Sequence, residues 1–153
     1  MNQTPFALLA GWLSALGQSP DAPAGLSALG ALQAEQLAPG PGWGITLVKN
    51  RLQASRTLVT GTVQLHRRLL CLVQLRLPAP EGDAASARAA AELCEGLAAH
   101  IDRAGRQSPP ALGQEPLVFC TAAAQKTPGE GGLWAYTIGL CAAYTEILTP
   151  KGE

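Results

Sequence analysis

The longest alternation of apolar and polar residues in the chain runs from Thr62 to Leu77. Its even-numbered residues are mostly polar, and its odd-numbered residues are apolar apart from Arg67, which predicts a strand with one face on a core. Leu70 and Leu72 interrupt the polar side, so the middle of this strand should be covered on both faces. The run is much longer than a usual strand of about 5 to 6 residues. We therefore expect a bend or break near Arg67 and Arg68.

The chain before this strand predicts one helix and a long connection. Thr4 can cap a helix and Pro5 suits its first turn, and apolar residues at helical spacing follow as far as Gly17. Residues 18–43 are rich in proline, alanine and glycine, which predicts a connecting segment with at most a short helix within 25–37.

Two strands are expected next, the first starting at Trp43 and the second ending at Thr60. The polar residues 50–55 between them are typical of a turn. After the long strand, Asp83 can cap a second helix that ends at Gly105. Its apolar stripe is the clearest helical pattern in the chain. The stripe consists of Ala87, Ala90, Ala91, Cys94, Leu97, Ala98 and Ile101.

The C-terminal third predicts two more strands. Residues 117–120 form a short apolar run, residues 126–132 predict a turn, and residues 133–148 form a last long strand with one large face and one small face. The predicted fold class is therefore α+β, in the order α-β-β-β-α-β-β. One mostly antiparallel sheet of about four or five strands should pack against two main helices in a single domain, 1–153, with 149–153 as a tail.

Composition indicates an assembly rather than a free monomer. Hydrophobic residues make up 47% of the chain and charged residues 14%, well below the usual charged share of about 25%. Lysine plus arginine equals aspartate plus glutamate at 11 each, so net charge favours neither nucleic acid nor a membrane as the main partner. Every charge between Gln36 and Pro80 is nevertheless positive. This basic patch consists of Lys49, Arg51, Arg56, Arg67, Arg68 and Arg76.

The N-terminus has neither the positive leader of a secretory signal nor an apolar run long enough to span a bilayer, which favours a cytosolic protein with no membrane partner. The four cysteines are widely spaced and set among apolar residues, without a Cys-x-x-Cys pair. We therefore interpret them as buried, reduced thiols that bind no metal.

No residue pattern indicates catalysis. His66 and His100 lack metal-ligand spacing, and six residues place Cys94 and His100 on different faces of a helix. No phosphate-binding loop follows a strand. We predict no catalytic residue, no metal and no cofactor. The aromatic row of the last strand lacks interleaved basic residues for stacking on bases, so a hydrophobic contact face is predicted instead. The predicted interface residues are Leu70, Leu72, Trp134, Tyr136 and Tyr144.

The closing sequence GLWAYTIGLCAAYTEI, together with the element order, resembles the tail terminator or tail-completion proteins of long-tailed bacteriophages and related prophage minor tail proteins. In that family a glycine-rich turn leads into a final strand with aromatic residues near both ends, as Gly132, Trp134, Tyr136 and Tyr144 stand here. RRLLCLVQLRLPAPEGDAASARAAAELCEGLAAHI and the following PPAL loop resemble the family's long strand, capped helix and return. The resemblance covers residues 43–148.

The resemblance implies a structural ring subunit, in a hexamer if the family pattern holds, that caps the tail tube and joins it to the head connector. It would assemble in the bacterial cytoplasm and end in the virion tail, where the basic patch would face an acidic partner or passing DNA. Two alternatives remain open at this point. One is a ligand-binding or enzyme domain with a pocket between helix 83–104 and the last strand. The other is a generic dimerising module.

Overall fold

The computed structural model describes residues 3–36, 39–78, 84–122, 125–128 and 133–150. Within them lie two α-helices, one 3₁₀ turn and six strands. The helices are α1 (Pro5–Gly17) and α2 (Ala84–Gln107), and the 3₁₀ turn is Ser27–Leu29. The strands are β1 (Gln33–Ala34), β2 (Gly42–Thr57), β3 (Val63–Pro78), β4 (Gln114–Cys120), β5 (Gln125–Pro128) and β6 (Leu133–Leu148).

These strands form one sheet in the order β1-β2-β3-β6-β4, and β5 pairs with another part of β6. The short β1 is parallel to β2, and every other pairing is antiparallel. The α+β class and the order of helices and strands are thus as predicted. Individual strands differ from the prediction in length and place. Three of them, β2, β3 and β6, have 16 residues each and form the middle of the sheet.

The expected break in the long strand is absent. β3 pairs with β6 from Val63 to Pro78 without a register shift. The irregularities lie instead in β2, between Leu47 and Lys49 and between Leu52 and Ala54. β3 is held by hydrogen bonds on both edges, whereas β2 has a neighbour on one edge for most of its length. An extra residue is more easily accommodated in such a strand, where a bulge also increases the local twist.

One predicted turn is wrong, and a second is described only in part. Residues 50–55 lie inside β2 and pair with β3; they are polar because this part of the strand is exposed to solvent. Residues 126–128 of the second predicted turn lie in β5, whereas residues 129–132 and the predicted cap Asp83 lie outside the described residues. α2 also continues past Gly105 to Gln107.

The N-terminal prediction is confirmed in detail. The Oγ1 of Thr4 accepts a hydrogen bond from the backbone N–H of Ala7 at 3.1 Å, and α1 ends at Gly17. Gly17 admits no side chain, because an added β-carbon would come within 2.6 Å of the Trp43 ring. The indole N–H of Trp43 donates to the carbonyl oxygen of Gly30 at 3.0 Å. Trp43 therefore joins the sheet to α1 and to the connecting segment.

Both helices cover the same face of the sheet. The core there combines odd-numbered residues of β3 with even-numbered residues of β6, which the strand register places side by side. Leu9 and Leu13 of α1 and Leu97 and Ile101 of α2 are fully buried in this core. The predicted stripe of α2 therefore faces the sheet.

Candidate interaction surface

The opposite face of the sheet, the open face, is defined by the even-numbered residues of β3 from Gln64 to Arg76. Both described helices lie on the other side of the sheet, and on the open face the segment 121–122 reaches over Gly139. The sequence predicted cover on both faces of the long strand. Within the described chain, helices cover one face alone.

Two leucines form the centre of the open face. Leu70 lies opposite Cys141 and Leu72 opposite Gly139, and both leucines keep part of their surface exposed. Their neighbours on β6 are small. Cys141 lies between Leu70 of β3 and Phe119 of β4, one on each edge of β6. The result is an apolar patch in the middle of a solvent-facing sheet surface.

The basic patch is mostly on this same face. By register Lys49, Arg51 and Arg56 of β2 lie beside Leu70, Arg68 and Gln64 of β3. That places five of the six basic residues on the open face: Lys49, Arg51, Arg56, Arg68 and Arg76.

Arg67 is the exception, because it lies on the helix side of the sheet. Its Nε is 3.8 Å from a carboxylate oxygen of Glu146. Within the described residues no carboxylate lies at ion-pair distance from Lys49, Arg51, Arg56 or Arg68. Arg51 and Arg68 are direct cross-strand neighbours, so two like charges stand side by side with no described carboxylate at ion-pair distance; Glu115 lines the same depression as Arg68.

The five predicted interface residues do not form one surface. Leu70 and Leu72 lie on the open face, whereas Trp134, Tyr136 and Tyr144 lie on the helix side. Tyr136 and Tyr144 are each only 4% exposed. The hydroxyl oxygen of Tyr144 accepts a hydrogen bond from Nδ2 of Asn50 at 3.0 Å.

The two tyrosines thus pack within their own chain, which corrects their assignment to an interface. The sequence contained a signal for this outcome, because the face of a strand that carries the larger side chains usually faces the core.

The two histidines lie in different environments. His66 is exposed on the open face, with Nδ1 3.1 Å from Oγ1 of Thr145. His100 is buried where α2 meets α1, with Nε2 3.3 Å from the carbonyl oxygen of Leu16. No cluster of three or more metal-ligating residues occurs in the described part of the chain.

Three of the four thiols are buried, and Cys120 is partly buried. Burial raises the pKa of Cys71, Cys94 and Cys120 to about 12, and a nearby carboxylate adds to each shift: Glu35, Glu95 and Asp102 respectively. A thiol with so high a pKa is almost entirely protonated at neutral pH. Because the thiolate is the nucleophile, these groups are poorly suited to covalent catalysis.

Among the described residues, the space between α2 and β6, where the alternative predicted a pocket, is occupied by fully buried core side chains: Leu97, Ile101, Ile138 and Leu140. A depression of about 480 Å³ lies elsewhere, between the end of α1 and the connecting segment. No titratable residue lines it. A shallower depression of about 240 Å³ lies beside His66 and Arg68.

Comparison with solved structures finds a distant likeness. No protein-family model matches the sequence, and no curated protein matches it. The fold is similar to that of a chain in a structure titled "Virion of native gene transfer agent (GTA) particle", at 19% sequence identity and a TM-score of 0.44. The match covers 84% of this chain and 90% of that chain. Neither described helix has the length and apolar character to cross a bilayer.

Proposed function

We propose that this protein is a structural subunit of a bacteriophage or prophage tail and that it acts as a tail terminator. The observation that carries the proposal is the open face of the sheet. Its centre is apolar at Leu70 and Leu72, and its flank is cationic at Arg51 and Arg68. The resemblance of the closing strand to tail terminator proteins supplies the biological context.

An antiparallel sheet that faces solvent usually presents polar residues on that face. Here the alternation fails in the middle of β3, at the two leucines that neighbour Cys141 and Gly139. Removing such apolar surface from water stabilises an assembly by about 25 cal/mol per Å². A complex in which a partner subunit covers the open face would therefore be stabilised by burial of this patch and of Leu117, which lies on the same face and is 43% exposed.

The exposed end of the β2–β3 hairpin, residues 48–68, supplies a second contact region. Every residue of β2 from Val48 to Thr57 is exposed, and this stretch extends over roughly 30 Å at about 3.3 Å per residue. Val59 near its tip is fully exposed. Because β3 stays paired with β6 along this end of the sheet, the exposed stretch of β2 is a sheet edge that a neighbouring subunit could contact.

In this proposal copies of the chain form a closed ring, a hexamer by the resemblance, at the end of the tail tube. The ring stops tube growth and presents a surface to the head connector. The cationic part of the open face would meet an acidic partner or the DNA that passes through the ring. No chemical step is required, in keeping with the protonated thiols and the separate histidines.

The test is growth of tail tubes from purified tube protein of the same genome, with and without this protein, followed by electron microscopy. We expect rings in the isolated protein and tubes that carry a cap at one end and stop lengthening. A protein that stays monomeric and leaves tube length unchanged would contradict the proposal.

A further inference from the structure

The outer edge of β2 is unpaired for most of its length. β1 pairs with Gly44 and Ile45, and β3 occupies the opposite edge of β2. No described strand pairs with the outer edge from Thr46 to Thr57. In an antiparallel pair, alternate residues turn their N–H and C=O groups away from the neighbour. This edge is therefore a row of backbone donors and acceptors that another strand can bind.

Cations follow this edge on the open face. Lys49, Arg51 and Arg56 belong to β2, and Arg68 stands directly opposite Arg51. Like charges directly opposite each other destabilise a sheet. No described carboxylate lies within ion-pair distance of either arginine, although Glu115 lines the same depression as Arg68. A negatively charged partner would remove the repulsion.

Apolar side chains accompany the cations. Val48, at the first bulge, is 55% exposed, and Leu52 is 47% exposed. Leu52 lies opposite Arg67, on the helix side of the strand. The edge thus offers positive charge on the open face, and on the helix side it offers the exposed Leu52 between the polar residues Asn50 and Ser55.

We infer that the outer edge of β2 binds an extended segment of a partner protein by strand addition, and that this segment alternates acidic and apolar residues. Its carboxylates would lie beside Arg51 and Arg68, and its apolar side chains beside Leu52. Nucleic acid fits less well. Phosphates cannot donate hydrogen bonds to the backbone acceptors of the edge, and they make no favourable contact with the exposed apolar side chains of Val48 and Leu52. The binding mode goes beyond the proposed ring and does not depend on it.

Charges and bulges on a free edge can also serve to prevent aggregation. That role requires charge on the edge strand alone. Arg68 and His66 instead lie on β3, one strand further into the sheet. The cationic surface is therefore wider than edge protection needs, which favours a binding role.

The test uses a fluorescent peptide of alternating glutamate and valine, as long as the free edge, and measures its anisotropy with the full-length protein. We expect saturable binding that weakens as salt rises. Binding should weaken about tenfold or more in the variant R51E/R68E. The matched control R88E/R103E changes the same charge on exposed residues of α2 and should bind like the parent protein. Circular dichroism checks that both variants are folded.

Two backbone-modified peptides separate strand addition from simple charge attraction. One carries methyl groups on its glutamate nitrogens and the other on its valine nitrogens, so each loses hydrogen-bond donors along one edge. Strand addition requires at least one of them to lose binding. The inference is overturned if both bind like the parent peptide, if no peptide binds, or if R51E/R68E binds the peptide unchanged. It is also overturned if labelled DNA binds and the peptide does not.

Discussion

Gly105 of α2 lies directly against the backbone of Val118 in β4. A β-carbon added at position 105 would overlap the carbonyl oxygen of Val118 and come within 3.1 Å of its Cβ. Glycine at position 105 therefore allows the helix to pack closely on the strand. It does not end the helix, which continues to Gln107.

Gly105→Ala should destabilise the protein despite the better helix propensity of alanine. Overpacking in a tightly packed site costs about 1–3 kcal/mol, and the opposing atom here belongs to the backbone. Gly11→Ala is the matched control, because no atom lies within 4 Å of an added β-carbon there; it should stabilise by about 0.5–1 kcal/mol. Urea denaturation of both variants measures the difference. Equal stability of the two would contradict the close packing.

The double substitution Leu70→Arg with Leu72→Arg tests the open face. Both side chains are partly exposed on the face without helices, so the variant should remain folded while its assembly becomes smaller. Light scattering gives the assembly size, and circular dichroism gives the secondary structure. A folded variant with unchanged assembly size would remove the leucines from the interface, and loss of secondary structure would show that the chain itself covers them.

Val73→Arg is the control for the other face of the same strand. Val73 is 0% exposed and packs under the helices. An unpaired charge there should cost several kcal/mol, enough to unfold a domain with a total stability of about 5–15 kcal/mol. Thermal unfolding of Val73→Arg and of the Leu70/Leu72 double variant compares the loss of stability on the two faces.

Reversal of Arg51 and Arg56 to glutamate should leave the fold intact and weaken assembly with an acidic partner. Both residues are exposed, and charges at a rim act mainly through complementarity and salt-sensitive attraction. Assembly is measured by sedimentation at low and high salt, with R88E/R103E as the control of equal charge. Unchanged assembly at low salt would exclude these two residues from the contact.

Asp102→Ala should loosen the end of β4. An Asp102 carboxylate oxygen accepts the backbone N–H of Cys120 at 2.7 Å. A hydrogen bond to a charged group contributes about 1.5–3 kcal/mol. Asp102→Asn keeps an acceptor oxygen, so it should destabilise the end of β4 less than Asp102→Ala does. Hydrogen exchange at Cys120 reports the effect locally, and similar exchange in both variants and the parent would show that the contact is dispensable.

The free energy of unfolding should fall as pH rises from about 9 towards 12. The folded pKa of Cys71 and Cys94 is raised from 9.0 to about 12, so the unfolded chain loses these protons first. At pH 10 each thiol then costs about 1.4 kcal/mol of stability. The variant C71A/C94A should be less stable at pH 8 and should show a flatter pH dependence in urea titrations. An equally steep dependence would assign the effect to other groups.

The features that the sequence determined by itself are those set by neighbouring residues. The cap at Thr4, the end of α1 at Gly17, the stripe of α2 and the alternation of β3 depend on helix and strand periodicity, which acts within a few residues. These features were predicted correctly, and with them the α+β class. The basic residues were also recognisable as a group, because they are close together in the chain.

Tertiary structure decided which strand faces meet and which surface stays open. Residues 50–55 resemble a turn because both faces of that part of β2 are solvated, so polar residues are tolerated in a strand; only pairing with β3 distinguishes it. Tyr136 and Tyr144 were assigned to an interface because no local pattern gives the register of β6 on β3. That register places their face under the helices. The separate register of β2 on β3 brings Arg51 opposite Arg68. Register depends on contacts between residues far apart in sequence, and so it is absent from the periodicity of any one strand.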